Sequence, residues 1–202
     1  MQFGLDDAYS LKTPEDNKNL YAKWAATYES DFVANAGYQH PQVISELFNS
    51  QVPEVKSVVD IGTGTGLVGK YLKSLRPQID IDGIDISPEM LAVAANKGVY
   101  RNLYVRDLTE PVNETAAPYD ALITIGTFTH GHLGPETLLN MLPLVKPEGH
   151  FVIAVNEKHF HEHNFLHFIL SQKVNMIHMD KVHVYDESSE HRDSMNVVMI
   201  FQ

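Results

Sequence analysis

The chain has no cysteine among its 202 residues. That excludes disulfide staples and thiolate nucleophiles, and it suits a reducing compartment. It has no basic tract either, since 15 lysines and arginines stand against 26 acidic residues, a formal charge of −11. A nucleic-acid groove needs concentrated positive charge against phosphate, so nucleic acid is not an expected partner. No apolar run approaches the roughly 18 residues of a membrane span. The N-terminus lacks the basic-then-apolar order of a secretory leader. The expectation is a cytoplasmic protein with no membrane partner, and the sequence holds no internal repeat or low-complexity tract. What remains, 44% hydrophobic and 20% charged residues, is the composition of an ordinary globular domain. Its length suits one domain of about 150 residues plus an extension, with a small molecule as partner.

One stretch organises the rest: Val58-Val59-Asp60-Ile61-Gly62-Thr63-Gly64-Thr65-Gly66. The short β-branched run reads as a buried strand, and it meets three glycines at alternate positions, where the chain turns. Glycines allow positive φ and leave no Cβ in the way, so a flat ligand can lie against the turn. After it, Leu67, Val68, Tyr71, Leu72 and Leu75 fall at helical spacing. Dinucleotide-binding proteins use a similar strand, turn and helix, but their fingerprint has Gly or Ala at the sixth position. Here that position is Leu67. A nicotinamide-dependent oxidoreductase is therefore the second reading. The spacing Asp-x-Gly-x-Gly-x-Gly instead resembles motif I of class I S-adenosylmethionine (SAM) dependent methyltransferases, matched by Asp60 to Gly66 at every named position.

A second match follows at the expected distance. Ile79 to Ile86 reads as the next strand, and Asp85 lies about 20 residues past the glycines, where an acid can accept both ribose hydroxyls. Ser87 offers a helix N-cap, Pro88 suits the first helical position, and Glu89 favours the positive helix end. The string Gly83-Ile-Asp-Ile-Ser-Pro-Glu-Met-Leu resembles the second segment of the same family, with Met90 covering the adenine. Taken alone, Asp85 could be a solvated strand end.

Upstream, Thr13-Pro14-Glu15-Asp16 looks like a helix start, and a helix is expected to run to about Glu29. Its string Tyr21-x-x-Trp24-Ala25-x-x-Tyr28-x-x-Asp31 resembles the lid helix of small-molecule methyltransferases, whose aromatics close over the cofactor. The plainer reading of such a stripe is core packing. His40-Pro41 opens a further helix over Gln42 to Asn49, and Pro53 ends it. Downstream, Val99 to Val105 reads as a third strand ending at Arg106-Asp107-Leu108, and Tyr119 to Ile125 as a fourth. Pro135 to Leu144 is expected to be helical. Val145-Lys146-Pro147-Glu148-Gly149 resembles the family's L-x-P-G-G turn into the fifth strand, with Glu148 in place of the first glycine. Val174 to Tyr185 and Met195 to Phe201 alternate as the last two strands.

The resemblance implies an α/β fold. Its sheet is Rossmann-like, seven-stranded and mostly parallel, with helices on both faces and the last strand antiparallel. Residues 1–50 would form an N-terminal helical lid and 51–202 one compact SAM-binding core. It also implies roles. Asp60 orients the methionine end, and Gly62, Thr63, Gly64 and Gly66 admit the backbone to the cofactor. Asp85 holds the ribose, Ile86 beside it also meets the cofactor, and Asp107 and Leu108 hold the adenine. Ile125 and Gly126 end the fourth strand at the reacting centre, and Tyr28 belongs to the lid. For Asp107, pairing with Arg106 is the alternative.

The loop Gly126-Thr-Phe-Thr-His130-Gly-His132-Leu lacks the Asn-Pro-Pro-Tyr type signature of enzymes that methylate base or amide nitrogen. A histidine titrating near neutrality can take a proton from an attacking hydroxyl or ammonium, so His130 is the candidate base and His132 its neighbour. Both could instead merely shape the loop. This loop and the compact length are similar to the Williams-Beuren syndrome region methyltransferase-like group. The run His159, His161, His163, His167 suggests a metal, with His163 and His167 able to share one helical face as ligands, but no nearby carboxylate or pattern of supporting residues completes a site and methyl transfer needs no metal. The function expected is SAM-dependent methylation of a small-molecule oxygen or nitrogen nucleophile. A SAM-binding module without catalysis is the third reading.

Overall fold

The computed structural model describes residues 14–112, 118–129 and 133–202. Its centre is a seven-stranded sheet in the order β3-β2-β1-β4-β5-β7-β6. The strands are β1 (Ser57–Ile61), β2 (Asp80–Asp85), β3 (Asn102–Val105), β4 (Tyr119–Phe128), β5 (Val145–Asn156), β6 (Met176–His183) and β7 (Met195–Phe201). The first five pair in parallel, and β7 runs antiparallel to both β5 and β6. This is the Rossmann-like arrangement expected from the sequence.

Parallel strands buried on both faces are apolar at successive positions. In β1, Val58 joins one apolar cluster and Val59 the other. The first cluster takes Ile44 and Phe48 from helix α2 (His40–Gln51), with Val68 and Leu72 from α3 (Leu67–Leu75). Helix α4 (Pro88–Ala95) lies beside the start of α3, with Ala94 against Gly66, and the opposite face is covered by α5 (Leu138–Met141), α6 (Glu157–Glu162) and α7 (Phe165–Ser171), through Leu138, Phe160 and Phe165. By its packing, α2 belongs to the sheet core. The segment standing over the strand ends is the one before it, comprising α1 (Pro14–Trp24) and a π-helical turn, Glu29–Val33. Among the described residues no helix is long and apolar enough to cross a membrane.

Four expected elements change shape for local reasons. The N-terminal helix stops at Trp24, short of Glu29, and the chain re-aims through the π turn. That bend lets Trp24, Tyr28 and Phe32 meet ring to ring, at 5.1 Å and 5.2 Å between successive centroids. The helix expected over Pro135–Leu144 is instead a 3₁₀ turn, the four-residue α5 and a second 3₁₀ turn. Pro143, with no N–H and a ring that crowds the preceding turn, ends it. Strand β3 begins at Asn102 rather than Val99, because Tyr100 turns inward to Asp60 and Arg101 to Asp82. Helix α2 starts two residues early, with Pro41 in its first turn.

Glu148 holds φ 62°, the left-handed conformation that favours glycine. A side chain there costs about 1–2 kcal/mol, partly offset because glycine loses more chain entropy on folding. Glu148→Gly should therefore raise stability by about 0.5–1 kcal/mol in urea unfolding. A destabilised variant would mean that the Glu148 side chain contributes more than the strain removes.

Candidate cofactor and acceptor site

A cavity of about 250 Å³ lies over the carboxyl ends of β1, β2 and β4, where open α/β sheets take their ligands. Its first wall is the glycine turn. The amides of Gly62 and Thr63 both donate to the Ile84 carbonyl, at 2.9 and 3.1 Å, so the turn is tied to the end of β2. Gly62 has φ 70°, and a Cβ there would stand 2.1 Å from Thr127 Oγ1. Gly66 caps α3 at φ 87° with the Ala94 backbone behind it, so no larger residue fits.

Asp85 is the hub of the second wall. Its carboxylate accepts from the Gly64 amide at 2.7 Å and the Ser87 amide at 2.9 Å. Burial pushes its pKa up, and those amide bonds pull the other way. Ser87 caps α4, its hydroxyl accepting from the Met90 amide at 3.2 Å, as the sequence predicts. Ile86, Met90, Asp107 and Leu108 continue the wall. One oxygen of Asp107 accepts from the Thr109 amide and hydroxyl, which leaves the second for a ligand. No Asp107–Arg106 pair forms among the described residues.

Two residues expected at the cofactor stand behind the wall instead. Gly66 acts through the packing just described. Asp60 is 1% exposed, with Oδ2 accepting from the Tyr100 hydroxyl at 2.6 Å and Oδ1 buried without a partner among the described residues. Burial pushes its pKa up to about 7, the Tyr100 hydrogen bond opposing this and the nearby Asp85 charge adding to it. An orphaned carboxylate oxygen beneath a glycine turn fits a cationic ligand end.

Past β4 the cavity widens. Ile125 and Gly126 line it, and the β4–β5 register shifts between Ile125 and Phe128, at Gly126 with φ 77°. The roof is aromatic: Tyr21, Trp24, Tyr28 and Phe32 from the N-terminal segment, joined by Tyr38 and Tyr185. Lys97 latches this roof, reaching Glu29 at 2.5 Å and the Thr65 carbonyl of the glycine turn at 2.7 Å. Burial works upward on the Glu29 carboxyl, and Lys97 overcomes it to hold the pKa below its usual value. His130 and His132 lie outside the described residues. Of the histidine run, His163 ends α6 and Asn164 precedes α7, so His163 and His167 share no continuous helix face, and no metal-ligand cluster occurs among the described residues.

Sequence reading missed Tyr100, which clamps Asp60, and the far wall of His40, Asn156, Asn196 and Tyr185. A signal was available for Asn156 alone, as a polar residue at the carboxyl end of a parallel strand.

Comparison with known proteins agrees with this geometry. Residues 59–151 match the model of a methyltransferase domain family. The malonyl-[acyl-carrier protein] O-methyltransferase of Halalkalibacterium halodurans is 33% identical over 115 residues, covering 54% of this chain and 42% of that protein. The chain thus spans less than half the length of the curated relatives it matches. The plantazolicin methyltransferase BpumL, solved with S-adenosylhomocysteine (SAH), superposes with a TM-score of 0.61 at 15% identity, over 94% of this chain and 90% of its own. The [4+2]-cyclase SpnF superposes at 0.71 with 12% identity, over 95% and 96%. With the glycine turn, the acid at the end of β2 and the sheet order all in place, residues 59–151 are similar to a methyltransferase domain, on a fold shared with solved methyltransferases.

Proposed function

We propose that this chain transfers the methyl group of SAM to a small-molecule oxygen or nitrogen nucleophile. The observation that carries it is one continuous cavity joining the Gly62–Thr65 turn and Asp85 to an aromatic chamber past Gly126. Asp85 would hold the ribose hydroxyls with the lone pairs that Gly64 and Ser87 leave free. Met90 and Ile86 would cover the adenine, with the Leu108 amide and the second Asp107 oxygen at its edge. Asp60 would answer the cationic methionine end from behind the turn. When bound, SAM supplies an electrophilic methyl on a sulfonium, whose carbon–sulfur bond breaks with its electron pair left on sulfur as the nucleophile attacks in line. The chain's own work is alignment and exclusion of water by the aromatic roof. His130, the next residue in sequence after Thr129, is the candidate to take the acceptor's proton, with His132 the second candidate.

A cyclase shares this fold, so fold alone does not name the reaction. The first test is ligand choice. At about a hundred times its dissociation constant, SAM or SAH should stabilise the chain by about 2.7 kcal/mol, a melting shift of roughly 5–11 °C, with no shift from NAD. A shift with NAD alone would sink the methyltransferase reading. SAH formed from SAM on incubation with candidate acceptors then separates transfer from mere binding.

A further inference from the structure

The chamber past Gly126 differs in character from the rest of the cavity. Every charged side chain lining the cavity among the described residues, Asp85, Arg106 and Asp107, lies on the β2–β3 side. On the β5–β7 side the polar groups are neutral. Asn156 ends β5 and Asn196 is the second residue of β7, and the antiparallel register sets them directly opposite one another. Opposed residues of such a pair project to the same face with side chains in reach of one another, and both line the cavity. Asn156 Oδ1 accepts from the His159 amide at 3.2 Å, which leaves its NH₂ free to donate. The Asn196 carboxamide has no partner among the described residues, though the residue is only 6% exposed.

His40 closes the same chamber. It is 1% exposed, it lines the cavity, and neither ring nitrogen has a partner among the described residues. Its position is held by its neighbour Gln39, whose amide donates to the Val184 carbonyl at 3.2 Å and whose side chain donates to the Tyr185 carbonyl at 3.0 Å. Burial pushes the imidazole pKa down to about 3, so the ring is neutral and offers one donor and one acceptor. The Tyr38 hydroxyl lies 3.8 Å from where a Cβ on Gly126 would stand, which puts this group of residues beside the reacting end of the cofactor site.

Buried polar groups are normally hydrogen-bonded, and a site whose donors and acceptors are left open in the free protein discriminates by hydrogen bonding to what enters. A charged acceptor would lose its hydration here and meet no opposite charge. An uncharged acceptor with a hydroxyl and a flat apolar body would satisfy His40 and the carboxamides and stack against Phe32, Tyr38 and Tyr185. Resting on the methyltransferase reading above, we infer that this chamber selects an uncharged, hydroxyl-bearing aromatic acceptor, held at its hydroxyl by His40 together with Asn156 and Asn196.

The test uses three para-substituted toluenes, 4-methylphenol, 4-methylbenzoate and 4-methylbenzylamine, titrated by ligand-observed NMR onto the full chain saturated with SAH. The phenol should bind at least tenfold more tightly than either charged probe. His40→Phe and, independently, Asn196→Ala should each weaken the phenol about tenfold while SAH affinity stays within twofold. His40→Phe should also melt no lower than the wild type, because it removes two unpartnered buried nitrogens. Benzoate or benzylamine binding as tightly as the phenol would overturn the inference. So would a phenol that fails to bind, a phenol affinity unmoved in both variants, or SAH affinity falling along with it, which would make these residues cofactor ligands. A chain that binds no SAH at all fails the methyltransferase reading itself, and the two failures are thereby distinguished.

Discussion

Asp60→Asn should leave the ligand-free protein more stable than the wild type at pH 8, by about 1–3 kcal/mol, with the advantage shrinking as the pH falls toward 4. The carboxyl is fully buried, and burial lifts its pKa to about 7 against the pull of Tyr100. The folded value lies above the unfolded one, near 3.9 for an ordinary aspartate. Across that window the folded chain keeps a proton that the unfolded chain releases, so rising pH favours unfolding. The cost is roughly 4 kcal/mol once the pH passes 7. An asparagine removes it, keeps an acceptor for Tyr100, and loses about 1–3 kcal/mol because its NH₂ finds no partner at the Oδ1 position. Urea unfolding of both proteins between pH 5 and 8 measures the gap, and a gap that does not change with pH would show that Asp60 does not titrate as its burial implies. A site that withholds stability in this way is expected to recover it on binding. If Asp60 answers the cationic end of SAM, binding near pH 6–7 should release protons, and calorimetry in buffers of different ionisation heat should find less release in the variant.

The same residue shows where sequence reading stops. Asp60 and Gly62 to Gly66 were legible because a turn of that tightness restricts residue type at each position, and α3 appeared at Leu67–Leu75 as its apolar spacing predicts. Ser87 and Pro88 likewise act locally, through a cap and a fixed φ, so the start of α4 could be read from four residues. The position of Asp60 behind the wall depends on Tyr100, forty residues away, leaving the edge of β3 to reach it. No periodicity encodes that.

The acceptor chamber was hidden for the same reason. His40 is a helix opener by its neighbours in sequence, and becomes a wall of the cavity only because Gln39 is bonded to Val184 and Tyr185. Asn156 and Asn196 look like unremarkable strand ends until the β5–β7 register sets them face to face. Local chemistry wrote the cofactor half of the site into short motifs, whereas pairings made over long stretches of chain wrote the acceptor half. The alternatives open for Tyr28 and Trp24 also resolve in space. Trp24 is 1% exposed and packs with Phe32 and Tyr185 as a small core of its own, yet it and Tyr28 line the cavity, so the stripe is core and roof at once.

Asp85→Ala should weaken SAM binding about ten- to a hundredfold. On the proposed assignment the carboxylate makes charge-assisted hydrogen bonds to the ribose, and losing such bonds costs roughly 1.5–3 kcal/mol. The same carboxylate also accepts from the Gly64 and Ser87 amides, joining the glycine turn to the start of α4. Its removal therefore orphans two amides in the empty protein, and stability should fall by about 1–3 kcal/mol, partly offset because burial already penalises the charge. The two effects separate in a second variant. Asp85→Asn keeps one acceptor oxygen for the turn and exchanges the other for a donor, so it should recover part of the stability while ribose binding stays impaired. Calorimetric titration of SAM and urea unfolding of both variants read these quantities side by side. Unchanged SAM affinity in Asp85→Ala would remove Asp85 from the ribose site and leave it as a tether of the turn. An affinity that returns in step with stability in Asp85→Asn would mean that the loss came from a loosened glycine turn rather than from the ribose contacts.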